Sequence, residues 1–267
     1  MNAPAPIAPA SSNARTRTAP AFLEAVRGVA GVALSFLYPE ACQVCGEERA
    51  TPAEGYVGAG CFQNLRFIVR PFCERCGLPY EGAITTTFEC TNCREMELHF
   101  ASARSVIAAQ GMAMDLIHRY KYSGALWLEP FLAGLLNNAA GPVLREGNWS
   151  LIVPVPLHPQ RLAEREFNQA ERLARRLSHA TGLKLASRLV RRVEATRTQT
   201  RLSRGERAQN VRRAFAPVPG ARCDGARVVL IDDVLTTGAT TSACARVLLG
   251  LGAQEVCVWT LARGLLH

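Results

Sequence analysis

Aromatic residues make up only 7% of this 267-residue chain, and no uncharged apolar run approaches the roughly 18 residues that a bilayer-crossing helix needs. The second absence excludes a helical membrane protein. The first leaves few rings on which bases could stack, with Phe167 and Phe215 the main ones in the basic region. The apolar stretch at 28–38 has no clean small-residue cleavage site after it, and Glu24 and Arg27 lie just before it, so it does not read as a secretory signal. No Ser/His/Asp arrangement has a recognisable context, and there is no internal repeat beyond a pair of cysteine-bounded segments. What remains, 48% hydrophobic and 20% charged, excludes a wholly disordered chain. The expectation is a soluble globular protein in a reducing cytoplasm.

Charge is present and localised. Lys and Arg number 31 against 22 Asp and Glu, but residues 161–213 hold 15 basic against 5 acidic residues, so the rest of the chain sums to −1. A concentrated field of that kind selects an anionic partner. Nine of the basic residues, from Arg188 to Arg213, are arginines, whose forked guanidinium suits phosphate. Arg172, Arg175 and Arg176 fit a solvated helix face.

The ten cysteines fall into two populations. Cys223, Cys244 and Cys257 stand among apolar residues and read as small buried hydrophobes. The other seven lie between Cys42 and Cys93, with C-x-x-C pairs at Cys42/Cys45, Cys73/Cys76 and Cys90/Cys93. Two thiolates three residues apart can face one ion from a tight turn. A disulfide framework would need an oxidising compartment, so zinc is the expected occupant. Cys73, Cys76, Cys90 and Cys93 make a complete zinc ribbon. The first ribbon is incomplete: Cys42, Cys45 and Cys61 supply three ligands, and Gly58 stands where the partner of Cys61 belongs.

Along the chain, residues 1–20 are expected to be a disordered tail and 21–40 an amphipathic helix with apolar residues at helical spacing, ended by Pro39. Residues 41–97 form the zinc-ribbon domain, and 98–267 alternate strand and helix in the manner of an α/β domain with a parallel sheet. Strands are expected at 104–109, 151–155, 227–231 and 255–261. Helices are expected at 112–121, 126–139, 162–181 and 240–250.

The sharpest pattern is Val228-Val229-Leu230-Ile231-Asp232-Asp233-Val234-Leu235-Thr236-Thr237-Gly238-Ala239-Thr240. A buried strand, two carboxylates and a hydroxyl-rich turn entering a helix place backbone N–H groups, Thr hydroxyls and the positive helix end around one phosphate. Carboxylates repel phosphate, so the pair suits ribose hydroxyls or a magnesium ion brought by the ligand. This block resembles the 5-phosphoribosyl-1-pyrophosphate (PRPP) signature of type I phosphoribosyltransferases. By that resemblance Asp232 and Asp233 hold the ribose hydroxyls and serve catalysis, while Thr236, Thr237, Gly238, Ala239 and Thr240 bind the 5-phosphate.

Two further segments narrow the resemblance. They are Pro154-Val155-Pro156-Leu157-His158 leading to Arg161 and Arg165-Glu166-Phe167-Asn168-Gln169, and Thr198-Gln199 through Leu202-Ser203 to Arg207 and Asn210-Val211. With the ribbons and Lys121-Tyr122 they resemble the ComF/GntX family, in which a double zinc ribbon precedes a type I phosphoribosyltransferase-like parallel-sheet domain. Glu166 stands where the family has Gly, a departure that bears on a tight turn near the pyrophosphate site. Arg161 and Arg165 are the expected pyrophosphate contacts. The 191–213 segment resembles the mobile hood of phosphoribosyltransferases, while Lys121 and Tyr122 have two readings, reaching the site from a helix after the first strand or, for a helix-surface Lys, simple solvation.

Two classes of function follow. One is an enzyme that binds Mg-PRPP and transfers its phosphoribosyl group to an acceptor the sequence does not identify. The other, implied by the family's place in natural transformation, is a non-catalytic protein that binds single-stranded DNA among the DNA-uptake machinery, through Arg191, Arg192 and Arg197, or that senses PRPP.

Overall fold

A computed structural model describes residues 40–82, 90–194, 211 and 213–265. The expected tail, nearly all of the 21–40 helix, and Arg197, Arg201, Arg204, Arg207 and Arg212 lie outside the described residues. From Ala41 onward the described residues belong to one compact unit.

Residues 228–231, all with no exposed surface, are apolar on both sides of the strand, the signature of a parallel strand covered on both faces. They form the centre of a five-stranded parallel sheet. In chain order its strands are β1 (Ser102–Ala108), β2 (Leu151–Pro154), β3 (Lys184–Leu185), β6 (Arg227–Leu235) and β7 (Glu255–Arg263), arranged β1-β7-β6-β2-β3. A separate antiparallel pair joins β4 (Val190–Arg192) to β5 (Phe215–Pro217). β6 is four residues longer than the sequence pattern indicates. Its pairing with β7 continues past Asp232↔Thr260 to Leu235↔Arg263, so the acidic pair is held within a strand.

The helices are α1 (Ala59–Gln63), α2 (Thr91–Glu95), α3 (Met112–Tyr122), α4 (Glu129–Glu146), α5 (Pro159–Arg165), α6 (Gln169–Thr181) and α7 (Ala239–Gly250). Strand alternation divides the core in two. Val229 and Ile231 pack with Leu116, Leu132, Leu136 and Leu173, whereas Val228 and Leu230 pack with Cys244 and Leu248 of α7. The ribbons divide the same way. Cys42 and Cys61 join the first cluster, and Cys73, Cys76, Cys90 and Cys93 join the second. Between them the chain runs against the outer strand β1, with Ile68 N–H donating to Val106 at 2.9 Å and Ala108 N–H to Arg66 at 2.8 Å. That contact covers the open edge of the sheet.

The expected single helix over 162–181 is two helices. Pro159 opens α5, with His158 Nδ1 accepting from Gln160 N–H at 3.3 Å. Glu166 closes it in the left-handed region at φ 65, its N–H donating to Leu162 at 2.8 Å. Asn168 then caps α6 through Ala170 N–H at 3.1 Å, and the buried Ala170, Leu173, Ala174 and Leu177 form its core-facing stripe. A left-handed residue with a Cβ costs roughly 1 kcal/mol that glycine avoids. The tight turn is therefore kept despite Glu166, at a local cost. Glu166→Gly is expected to raise the unfolding free energy by about 0.5–1 kcal/mol, read as a higher urea midpoint at unchanged slope.

Arg175 and Arg176 are exposed as a solvated face requires, but Arg172 and Arg176 also pair with the buried Glu129 of α4, Arg176 Nε at 2.7 Å, and Arg175 pairs with Glu171.

Candidate functional site

The connection after β2 leads to β3 at one edge of the sheet, while that after β6 leads to β7 on the other side. Adjacent strands whose connections diverge leave a crevice at their carboxyl ends, where open α/β sheets bind ligands. Both chemistry-bearing segments project there. One is the 154–165 turn and α5; the other is the Asp232 to Thr240 loop.

Two cavities with shared walls occupy the crevice. One, of about 300 Å³, is lined by Lys121, Tyr122, Arg161, Arg165, Asn168, Arg192, Asp232, Asp233 and Thr240 among others. The second, of about 270 Å³, is lined by Asp232, Thr236, Thr237, Gly238, Ala239, Thr240 and Thr241. Val211, Asp232, Val234 and Thr240 border both. The loop turns into α7 through Gly238, at φ 89, where a Cβ would also press on Leu98 at 3.1 Å. Thr241 Oγ1 donates to Gly238 carbonyl at 3.1 Å and Ala239 N–H to Thr237 Oγ1 at 3.4 Å.

In the larger cavity Arg161 and Arg165 lie four residues apart on one face of α5, and so face the ligand space together. Arg161 pairs with Glu164 at 2.8 Å. Arg165 donates to Tyr122 Oη at 3.0 Å and stacks over that ring at 4.5 Å. Lys121 is not solvated: its Nζ lies 2.8 Å from Asp233 Oδ2, and the Asp233 charge holds the ammonium above its ordinary value against the pull of burial. Asp232 is pushed up to about 7, by burial first and then by the charge of Asp233, with Lys121 and Arg192 opposing.

Arg191 and Arg192 do not share one face. Successive side chains of β4 alternate, so Arg191 is exposed and donates to Pro217 carbonyl at 3.3 Å, while Arg192 lines the cavity and stacks on Phe215 at 5.5 Å. Lys121 reaches the cavity, the alternative the sequence left open for it, while Arg192 and Asn168 were not singled out as cavity residues. Asn168 carried a hint, as part of the Arg165-to-Gln169 block; its Nδ2 donates to Val155 carbonyl at 3.0 Å and ties α6 to the end of β2.

The second ribbon fits zinc. Its four sulfurs are buried, lie within 4.8 Å of one another, and include pairs at 3.4 Å (Cys76–Cys90) and 3.7 Å (Cys73–Cys93). Tetrahedral zinc with Zn–S bonds near 2.3 Å places its sulfurs about 3.8 Å apart. Burial opposes ionisation of Cys73, but amides of Cys76 and Arg75 and the neighbouring thiols bring it down to about 7, while burial and the neighbouring thiols raise Cys90 and Cys93. All ten cysteines are free thiols, and Cys223, Cys244 and Cys257 are buried as expected of small hydrophobes.

This ribbon is joined to the ligand crevice. Asn92 Nδ2 donates to Thr237 carbonyl at 3.1 Å. Arg263, with no exposed surface, donates to the carbonyls of Cys76 (3.2 Å), Leu235 (3.0 Å), Thr236 and Gly264 (2.9 Å), and its Nη2 lies 3.8 Å from Cys76 Sγ. Neither residue was marked by the sequence, because each acts on groups far away along the chain.

A parallel α/β sheet with a crevice at its strand ends, joined to a cysteine-rich segment that fits zinc, defines the class as a zinc-ribbon α/β protein. Residues 33–97 match the double zinc ribbon domain family. The chain is 33% identical to competence protein F of Haemophilus influenzae over 77% of its own length and 89% of that protein's. It is 34% identical to the DNA utilization protein YhgH of Salmonella typhimurium over 72% and 84%. It is 29% identical to competence protein ComFC of Streptococcus pneumoniae over 65% and 76%. The chain belongs to the ComF family. Solved structures similar to half of it include a purine phosphoribosyltransferase from Pyrococcus horikoshii (18% identity, 50% of this chain and 83% of that one, TM-score 0.34) and a hypoxanthine phosphoribosyltransferase from Staphylococcus aureus (16%, 51% and 64%, TM-score 0.35). Among the described residues, no helix is long and apolar enough to cross a membrane.

Proposed function

We propose that this protein binds PRPP with magnesium and transfers its phosphoribosyl group to an acceptor. The observation that carries the reading is the convergence of Lys121, Arg161, Arg165 and Arg192 on the cavity that adjoins the Asp232/Asp233 pair and, through Thr240, the 236–240 loop. The order of chemistry along the crevice follows the ligand. Thr236 to Thr240 would receive the 5-phosphate, Asp232 and Asp233 the ribose hydroxyls, and the arginines the pyrophosphate. Magnesium carried on the pyrophosphate would neutralise charge beside Asp232.

In transfer, the bond from the anomeric carbon to the pyrophosphate oxygen breaks and its electron pair leaves with pyrophosphate, while an acceptor lone pair forms the new bond. Guanidinium groups aimed at the departing charge stabilise it in a crevice of low dielectric. With the ribose hydroxyls on Asp232 and Asp233, their charges would stabilise the positive character that the ribose ring gains. We further propose a role in the handling of DNA taken up by the cell, in keeping with the names of the competence and DNA-utilization relatives. In that role Arg191, which is exposed, is better placed for a DNA strand than Arg192.

Calorimetric titration of Mg-PRPP into the wild type and into the Asp232→Asn/Asp233→Asn variant tests the reading. Saturable heat in the wild type and none in the variant is expected. No binding by the wild type overturns it. Where binding holds, pyrophosphate release in the presence of candidate nucleobases and amines tests turnover.

A further inference from the structure

We propose that Glu48 is the fourth ligand of the first ribbon, which makes it a second zinc site with three thiolates and one carboxylate. In the knuckle that opens each ribbon the first cysteine accepts hydrogen bonds from the amides two and three residues later, Val44 and Cys45 to Cys42 and Arg75 and Cys76 to Cys73, and in the knuckle that closes the second ribbon Cys90 takes the Cys93 amide alone. A cysteine at position 58, the counterpart of Cys90, would take the Cys61 amide in the same way. That amide donates to Glu48 instead, Cys61 N–H to Oε1 at 3.1 Å, and Gly60 N–H donates to Oε2 at 2.7 Å.

The carboxylate occupies the space as well as the hydrogen bond of the absent thiolate. A Cβ built on Gly58 would lie 2.7 Å from Glu48 Oε2, 2.8 Å from its Cβ and 2.9 Å from its Cδ. Gly58 is thus the residue that leaves room for Glu48. The sulfurs of Cys42, Cys45 and Cys61 lie within 4.8 Å of one another, and Glu48 Oε1 is 3.7 Å from Cys45 Sγ and also contacts the Cys61 thiol; the carboxylate lies beyond 4.8 Å of at least one of the three sulfurs, so ligation requires the Glu48 side chain to move in toward it. Gly58 N–H donates to Cys42 Sγ at 3.2 Å, the sort of amide contact that supports a zinc-bound thiolate. Zinc accepts a carboxylate oxygen at about 2.0–2.2 Å in a tetrahedral set with sulfur. The site stands apart from the ligand crevice, so it neither requires nor supports PRPP binding.

The test is zinc content per chain of the full-length protein, purified without chelators and measured again after challenge with a competing chelator. Two zinc ions are expected in the wild type. Glu48→Ala should lose one of them to the chelator, and the Glu48→Gly/Gly58→Cys double variant, which also removes the Cβ at position 48 that a Cβ at 58 would meet, should regain it, since it restores a four-thiolate site. X-ray absorption at the zinc edge of the wild type reads the ligands directly: the seven ribbon cysteines and one oxygen, shared over two ions. One zinc per chain in the wild type, a sulfur-only shell, or a Glu48→Ala variant that holds both ions as firmly as the wild type overturns the assignment. Should Glu48→Ala not accumulate folded, the wild-type count and absorption spectrum decide between the same outcomes.

Discussion

Arg263→Met is expected to lower the unfolding free energy by about 3–5 kcal/mol, the range found when one member of a buried charged network is removed. The side chain has no exposed surface, and among the described residues its hydrogen bonds go to backbone carbonyls and the Cys76 sulfur. Its donors satisfy backbone carbonyls from three places: Cys76 in the second ribbon, Leu235 and Thr236 at the end of β6, and Gly264 after β7. Methionine fills much of the volume but leaves those carbonyls without a donor, and each unsatisfied buried acceptor costs about 1–3 kcal/mol. Four thiolates around a divalent zinc carry a net negative charge, and Cys76 Sγ lies 3.8 Å from Nη2. The metal site thus supplies the counter-charge for Arg263. Loss of zinc leaves that guanidinium buried beside neutral thiols, and loss of Arg263 frees the start of the 236–240 loop. Urea unfolding of the variant, followed by both intrinsic fluorescence and circular dichroism, measures the effect. A change under about 1 kcal/mol would falsify the bridging role.

Asp232→Asn is expected to abolish Mg-PRPP binding while making the protein without ligand more stable at pH 8. The native carboxyl is pushed up to about 7 from an ordinary value of 3.8, by burial and by the charge of Asp233. Between those two values the native state keeps a proton that the unfolded chain has lost. Stability therefore falls as pH rises from about 4 to about 7, and the contribution of this group is flat above that. The ionised native state is therefore strained by burial and by the Asp233 charge, a strain the neutral amide removes. The same ionisation is what the ligand requires, so affinity for Mg-PRPP in the wild type should rise as pH passes through about 7. Denaturation midpoints for both proteins from about pH 3.5 to 8.5 check the first part: the two curves should meet near pH 4, draw apart as the pH rises to about 7 and run parallel above that. A variant no more stable than the wild type at pH 8 would mean that Lys121 and Arg192 fully offset the burial of the carboxylate. The site thus trades stability for binding, and Lys121, at 2.8 Å from Asp233, limits the cost.

Much of this protein was determined by residues close together in the chain. The Cys73/Cys76 and Cys90/Cys93 pairs specify metal knuckles through local turn geometry, and Val228 to Thr240 specifies a buried strand, an acidic pair and an anion-binding turn because those features repeat the order of the polypeptide. The tertiary structure decided what depends on distant contacts. It divided the two ribbons between opposite faces of the sheet, split one expected helix at Glu166, and turned Arg192 into the crevice while Arg191 faces outward. It also gave Lys121 to Asp233, Arg263 to a zinc ligand 187 residues away, and Glu48 to the place of a cysteine missing at position 58. Hydrophobic period and turn chemistry are local properties and can be read from neighbours. A charge buried inside the fold finds its partner only when the sheet brings remote segments together, and its electrostatic role is set by that meeting.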